Sequence, residues 1–369
     1  MTYDPFERGK FPVGGRTLET TKEPRSGRNV TVEVWYPATD AYKGKDTNEA
    51  TFDRFTVGSG LPEQSQEAVR DARIATGKLP LILYFHGAYG YRSELSHVAT
   101  HLASRGYIVA APDFPGDNIN ELKLGVETTD DAKIDLPVDA SAINRPFQAS
   151  FVLDCLLADS TFAPLIDADK IGTFGQSMGG FTSLRFNSVD PRPKACVPIA
   201  PLYGKNDWVP QLNRIQSQLR IDDWNRPVAT FLLSGELDTF VLLPYVRELA
   251  EKLSEPKRLA ILRNAGHFHW SAVGEQGHDI FRQSYLSGSI ADPEIDGRAM
   301  GEAMRPFAEL APAWHGKETA RALCLAHFDE NLQGSSDARA FLDNNPAETF
   351  AGRGIDLEVA NEKTKMVGT

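Results

Sequence analysis

Short apolar runs that stop at a glycine or proline alternate with amphipathic stretches along most of this 369-residue chain. The run "LPLILYFHG" is continuously apolar up to Gly87, the pattern of a parallel strand buried on both faces. A helical pattern follows in "ELSHVATHLASRG", then a strand in "YIVAAPD", an acidic loop, and a helix around Ala140–Ala158. The alternation continues through the strand "KIGTFG", a helix from Met178, the strands "KACVPIA" and "PVATFLLSG", a helix around Leu243–Leu253, and the strand "KRLAILRN". Strands alternating with helices predict right-handed crossovers and a mainly parallel sheet covered on both faces. Ahead of this core, "VGGRTLET" and "NVTVEVWYP" flank the turn-forming "TKEPRSGR" and predict an antiparallel hairpin.

Three segments break the rhythm of an otherwise single domain spanning 1–369. Residues 38–78 are polar and predict a surface insertion with a short helix around Glu63–Ala75. Residues 201–226 carry Tyr203, Trp208 and Trp224 between two strands, and read as either a cap over a site or a long crossover. Residues 272–312 are rich in Gly, Asp and Pro and read as an insertion before the amphipathic helix "GKETARALCLAHFDENLQG". No internal repeat or low-complexity tract appears.

Composition narrows the function. Hydrophobic residues at 41% and charged residues at 24% are values of a globular chain with a sizeable core. A net charge of −11, with both signs mixed throughout, argues against nucleic acid or an anionic membrane surface as partner. No stretch approaches the roughly 18 apolar residues of a membrane span. The start of the chain shows no apolar signal region, and the odd set Cys155, Cys196 and Cys324 lacks metal-ligand spacing. Cys155 and Cys196 lie in apolar runs and are expected to be buried free thiols. A cytoplasmic location is the expectation.

Chemistry concentrates at Gly175-Gln176-Ser177-Met178-Gly179, which matches the nucleophile-elbow pattern G-x-S-x-G between a strand and a helix. A serine hydroxyl needs a base beside it and donors for the oxyanion that it creates. Bulk at either glycine would strike a neighbouring strand or helix. The elbow requires the chain order Ser, acid, His. "FLLSGELDTFVLLP" delivers Asp238 after a strand, with Glu236 as a rival acid. "LAILRNAGHFHW" delivers His267 after the last strand, with His269 as a rival base. In this reading Asp238 orients His267, and His267 moves the proton of Ser177. The oxyanion donors are then the backbone N–H groups of Met178 and Ala88.

Other groups carry weaker signals. His97 and His101 lie four apart on a helix without a third ligand, so a metal site there is disfavoured. There is no phosphate-binding loop, and no nicotinamide or flavin signature. Tyr89, Tyr91, Met178, Phe240 and Trp208 are candidates to line an apolar substrate pocket, or else ordinary core and surface side chains.

With these residues in place, the chain resembles the α/β-hydrolases, and more narrowly the dienelactone-hydrolase-like esterases related to platelet-activating-factor acetylhydrolases. The resemblance runs through "VGGRTLET…RNVTVEVWYPAT", "LPLILYFHGAYGYRSELSHVATHLASRGYIVAAPDFPG", "NRPFQASFVLDCLL", "DADKIGTFGQSMGG" and "RALCLAHFDENLQGSSDARAFL". It implies a mainly parallel eight-stranded sheet with an antiparallel N-terminal hairpin. It also implies an ester hydrolase with a short-acyl preference, an acyl-enzyme and no cofactor. Ser177, Asp238 and His267 would form the triad, with Ala88 and Met178 at the oxyanion hole. The chain departs from the group in having Gln176 where His is usual and Met178 where an aromatic is frequent. None of its cysteines lies in an elbow, although the true dienelactone hydrolases use a cysteine nucleophile. The resemblance extends to cutinase-like polyester hydrolases, so the expected partner is a small ester or a polyester. Acyl transfer, peptide cleavage, or a silent ligand-binding protein are the competing readings.

Overall fold

The computed structural model describes residues 3–57, 63–120, 138–289 and 296–360. Its strands are β1 (Val13–Lys22), β2 (Asn29–Pro37), β3 (Asp53–Phe55), β4 (Gln64–Gln66), β5 (Val69–Arg70) and β6 (Leu79–Phe85). They continue as β7 (Ile108–Pro112), β8 (Ile166–Gln176), β9 (Pro193–Ile199), β10 (Ala229–Gly235), β11 (Lys257–Leu262) and β12 (Leu357–Ala360). The α-helices are α1 (Ser96–Ser104), α2 (Val138–Ala158), α3 (Met178–Phe186), α4 (Gln211–Ile215) and α5 (Leu243–Lys252). After them come α6 (Gly274–Ser287), α7 (Gly297–Ala303), α8 (Ala313–Gln333), α9 (Ser336–Asp343) and α10 (Pro346–Ala351).

Ten strands form one sheet in the order β12-β11-β10-β9-β8-β6-β7-β2-β1-β5. The six from β11 to β7 are parallel, and the β1–β2 hairpin adds on antiparallel through β2. The two strands beyond the expected eight are edge pieces: two-residue β5 beside β1, and β12 running antiparallel to β11. Neither has the length or the apolar pattern that marks the central strands. β6 and β9 to β11 carry almost no exposed residue, because helices cover both faces. On one face α1 and α8 pack over Ile82, Phe174 and Phe231. On the other, α2 lies over Leu83 and Ile171 while α3 and α5 cover Leu232 and Ile261.

The three irregular segments have clear places. The helix expected around Glu63–Ala75 is absent; the segment forms β4 and β5, with β4 pairing to β3 and Val69–Arg70 pairing to Gly14–Gly15. Strand pairing and buried polar contacts decide it: Gln66 donates to Asp53 (2.6 Å) and accepts from Trp35 Nε1 (3.0 Å). In 201–226, Leu212, Ile215, Leu219 and Trp224 are buried in the same cluster as α3 and α5, so much of this segment is core. Segment 272–312 contains α6, α7 and a 3-10 turn at Phe307–Glu309; its residues 290–295, like 121–137 of the acidic loop, lie outside the described residues. Cys155 is only half-buried, unlike the expectation, while Cys196 and Cys324 are buried. Cys155 lies on a two-sided helix whose apolar run reaches past its buried face.

Candidate active site

All the parallel strands end at one edge of the sheet, so the residues just after β6, β8, β10 and β11 are neighbours in space. Gly87 follows β6, Ser177 follows β8, Asp238 follows β10, and His267 follows β11. Residues scattered over the chain are thereby gathered at one place, as ligand sites in open α/β sheets are.

Ser177 stands between β8 and α3 with φ 60° and ψ −120°. A side chain adopts such a backbone at a cost of about 1–3 kcal/mol, held by its surroundings. The surroundings here are backbone. A Cβ on Gly179 would lie 1.8 Å from the Phe85 carbonyl oxygen, and one on Gly175 would lie 2.4 Å from that of Gly179. Only glycine fits at either position. Ser177 N–H donates to Ile199 O (2.9 Å), which fixes the turn against β9. Met178 opens α3, so its N–H has no partner within the helix and lies at the positive end of the helix dipole.

The acid and base meet. Asp238 Oδ2 lies 2.7 Å from His267 Nδ1, and both residues are buried. Asp238 Oδ1 accepts from the N–H groups of Phe240 and Val241, each at 2.8 Å, so the carboxylate has one oxygen left for the imidazole. A carboxylate only accepts, so His267 carries its proton on Nδ1 and presents Nε2 as an acceptor. Phe240 packs on the His267 ring with centroids 4.7 Å apart. Among the described residues, no hydrogen bond joins Ser177 Oγ to His267, so in this resting geometry only the acid–base half is closed. Such bonds commonly tighten only when substrate binds.

The rival residues have other partners. Glu236 is held by Arg263 (2.9 Å) and the Asn264 N–H (2.9 Å). His269 accepts from the Gly266 N–H (3.0 Å) on Nδ1 and donates from Nε2 to Ala311 O (2.8 Å). It also stacks on Phe307 at 4.6 Å, and burial pushes its pKa down to about 4. It is a neutral pin between the His267 turn and the inserted segment. His101 likewise bonds Pro5 O (2.9 Å) from inside α1.

Three groups at the site were not evident from sequence. Gln176 Nε2 donates to the His267 carbonyl (3.2 Å), tying the strand that carries Ser177 to the loop that carries the base. Its place just before the serine was noted; its partner, 91 positions on, was not foreseeable. Glu94 Oε2 accepts from Gly87 N–H (3.3 Å), and desolvation raises its carboxyl above the ordinary value. The third group, Arg145 with Asp117, lies beneath the same loop.

A cavity of about 240 Å³ opens beside the acid and base, lined by Asp238, His267, Phe268, Trp208, Leu242 and Met304 among others. Met304, Ala303, Arg305 and Leu310 come from the 272–312 insertion, which was opaque in the sequence. Of the pocket candidates, Trp208 lines this cavity and Phe240 adjoins it through His267 and Phe268. Tyr89 sits on the loop after β6, Tyr91 is buried with its hydroxyl on Gln64 (3.0 Å), and Met178 is fully buried in the core. Among the described residues, no group of three or more His, Cys, Asp or Glu is arranged to hold a metal, and no helix is long and apolar enough to cross a membrane.

Comparison with known proteins agrees with this architecture. A ferulic acid esterase structure from Streptomyces cinnamoneus superposes with a TM-score of 0.56 at 23% identity, covering 88% of this chain and 92% of that one. The α/β hydrolase gkaG of Penicillium citrinum is 32% identical over 175 residues, 46% of this chain and 36% of that protein. Cutinase 2 of Thermobifida cellulosilytica is 23% identical over 193 residues, 50% of this chain and 68% of the cutinase. The chain spans only 25% to 36% of the length of the first curated relatives that it matches. Residues 65–272, more than half of the chain and the whole stretch from Gly87 to His267, match the dienelactone hydrolase family, and the chain belongs to that family with an α/β-hydrolase fold.

Proposed function

We propose that this chain is a serine carboxylic-ester hydrolase that works through an acyl-enzyme on Ser177 and favours short acyl esters. The observation that carries the reading is the 2.7 Å Asp238–His267 contact at the same sheet edge as a serine held in a strained elbow. Ser177 Oγ attacks the ester carbonyl carbon as its proton passes to His267 Nε2. The negative charge on the carbonyl oxygen is met by the N–H groups of Ala88 and Met178, in the field of the α3 N-terminus. His267 then gives the proton to the departing alcohol, and water repeats the sequence in reverse roles to release the acid. Asp238 holds the tautomer and balances the imidazolium charge.

The cavity supports the size preference. At about 240 Å³ it lies below the roughly 300–1,000 Å³ of drug-sized pockets, and its walls are largely apolar. A polyester surface is the second reading, favoured by Val273, Ile280 and Phe281, which are exposed on or beside α6, with Phe281 packing on Phe268 next to the base. The test is a fluorophosphonate probe together with p-nitrophenyl esters of rising chain length and a suspended polyester. A Ser177 adduct with the highest kcat/KM on acetate or butyrate is the expected result. The absence of both labelling and turnover contradicts the proposal, and faster polyester release would move the substrate class to the second reading.

A further inference from the structure

We propose that the buried Arg145–Asp117 ion pair is the positioning element of the oxyanion donor, fixing both peptide planes that flank Ala88. This rests on the ester-hydrolase reading above. His86 to Gly90 form a tight turn closed by Gly90 N–H to Gly87 O (3.1 Å), with Tyr89 at φ 50°. A bulky residue in the left-handed region is uncommon and persists only where neighbours hold it.

Arg145, on α2, is 1% exposed and does the holding from below. Its Nη1 donates to His86 O (2.6 Å), and its Nη2 donates to Gly87 O (2.9 Å) and Asp117 O (3.1 Å). Nη2 also meets Asp117 Oδ2 at 2.7 Å. Asp117 Oδ1 in turn accepts from Tyr89 N–H (2.7 Å), and Ser141 Oγ donates to Oδ2. His86 accepts from Phe114 N–H on Nε2 (3.2 Å), so its Nδ1–H donates to Gly87 O (2.7 Å).

The consequence follows from planarity. Gly87 C=O and Ala88 N–H belong to one trans peptide unit and point in opposite directions. Bonds that hold Gly87 O toward Arg145 therefore point Ala88 N–H away from Arg145, and Gly87 itself lies beside the serine, where an added Cβ would come 3.7 Å from Ser177 Cβ. The next unit, Ala88 C=O with Tyr89 N–H, is fixed by Asp117. One charge pair thus sets the donor from both sides, with no reorganisation needed when the oxyanion forms.

The pair is too deep to be a surface ornament, yet neither member reaches the reacting atoms. Its effect should fall on the chemical step. Arg145→Met is expected to lower kcat about 100-fold, within the range for loss of one oxyanion donor, with KM within about threefold. Arg145→Lys, which restores the charge and one donor, should lie between that variant and the parent. Asp117→Asn keeps an acceptor for Tyr89 but strands the Arg145 charge, as Arg145→Met strands that of Asp117; where either fails to fold, Arg145→Lys, which keeps both charges, carries the test. A trifluoromethyl ketone, whose adduct presents an oxyanion, should lose affinity in parallel with kcat in each folded variant. A purely structural role would instead lower the melting temperature and leave kcat per folded molecule and the ketone affinity unchanged; that result overturns the proposal. If the parent protein neither turns over esters nor binds the ketone, the ester-hydrolase reading falls and takes this one with it. If the parent does both and all three variants match it, the positioning role alone is wrong.

Discussion

The two halves of the site are held in different ways. Around Ser177 the contacts are made to backbone: Gly175 and Gly179 pack against carbonyl oxygens, and the carbonyls of the turn after β6 are held by a buried ion pair. Around His267 the contacts are side chains, several from outside the parallel core. His269 reaches Ala311, His278 Nε2 meets Arg305 O (2.7 Å), and Met304 and Leu310 wall the cavity. The serine half is therefore fixed largely by packing within the parallel core. In the proposed reading, an inserted segment beside the acid–base half sets which acyl group fits. Chemistry and selectivity should separate under mutation.

The largest effects belong to the candidate triad itself, which draws one or more members from each half. Ser177→Ala should remove essentially all turnover, a fall of about 10⁶-fold in kcat by analogy with other serine triads. Asp238→Asn should keep the Phe240 and Val241 bonds but offer an N–H to His267, forcing the wrong tautomer and lowering kcat by about 10⁴-fold. Both are read by steady-state kinetics on p-nitrophenyl butyrate, with folding checked by circular dichroism. Residual activity within tenfold of the parent in either variant would mean the two halves do not act together.

Changes in the second half outside Asp238 and His267, in the cavity wall, should move preference more than rate. Met304→Ala widens the cavity, so kcat/KM for pentanoate over butyrate should rise by about 10- to 200-fold, the span of one methylene group in a fitted pocket. An unchanged chain-length profile would show that this cavity is not where the ester sits.

The smallest effect is expected at His269. Burial keeps it neutral, with a pKa of about 4 against an ordinary 6.5. Between those values the unfolded chain binds more protons than the folded one, so stability falls as pH drops through this window. His269→Gln should flatten that part of the slope in urea titrations at several pH values and leave kcat within about threefold. An unaltered slope would show that His269 is not the neutral pin.

The legible parts of the molecule are those whose signals are local. The elbow could be read because five adjacent residues and a strand-to-helix change carry it. Asp238 and His267 could be read because each follows an apolar run that ends at the same edge. The pattern favours His267 over His269, and the partner that occupies His269, Ala311, lies 42 positions away where no pattern shows it. Gln176, Glu94 and the Arg145–Asp117 pair were missed for the same reason: their partners are distant in the chain, and a buried arginine in "NRPFQAS" looks like any helix-surface cation. The helix expected at Glu63–Ala75 failed because polar spacing says nothing about pairing, and Gln66, Asp53 and Arg70 are polar in order to bond one another.

The central claim is that a covalent ester forms on one hydroxyl. Mixing the protein with p-nitrophenyl butyrate, quenching in acid within the first turnovers, and mapping peptides by mass spectrometry tests it directly. The account predicts a single butyryl group on the peptide that contains Ser177, absent after Ser177→Ala. A butyryl group on another residue, or hydrolysis that continues undiminished in Ser177→Ala, would contradict it.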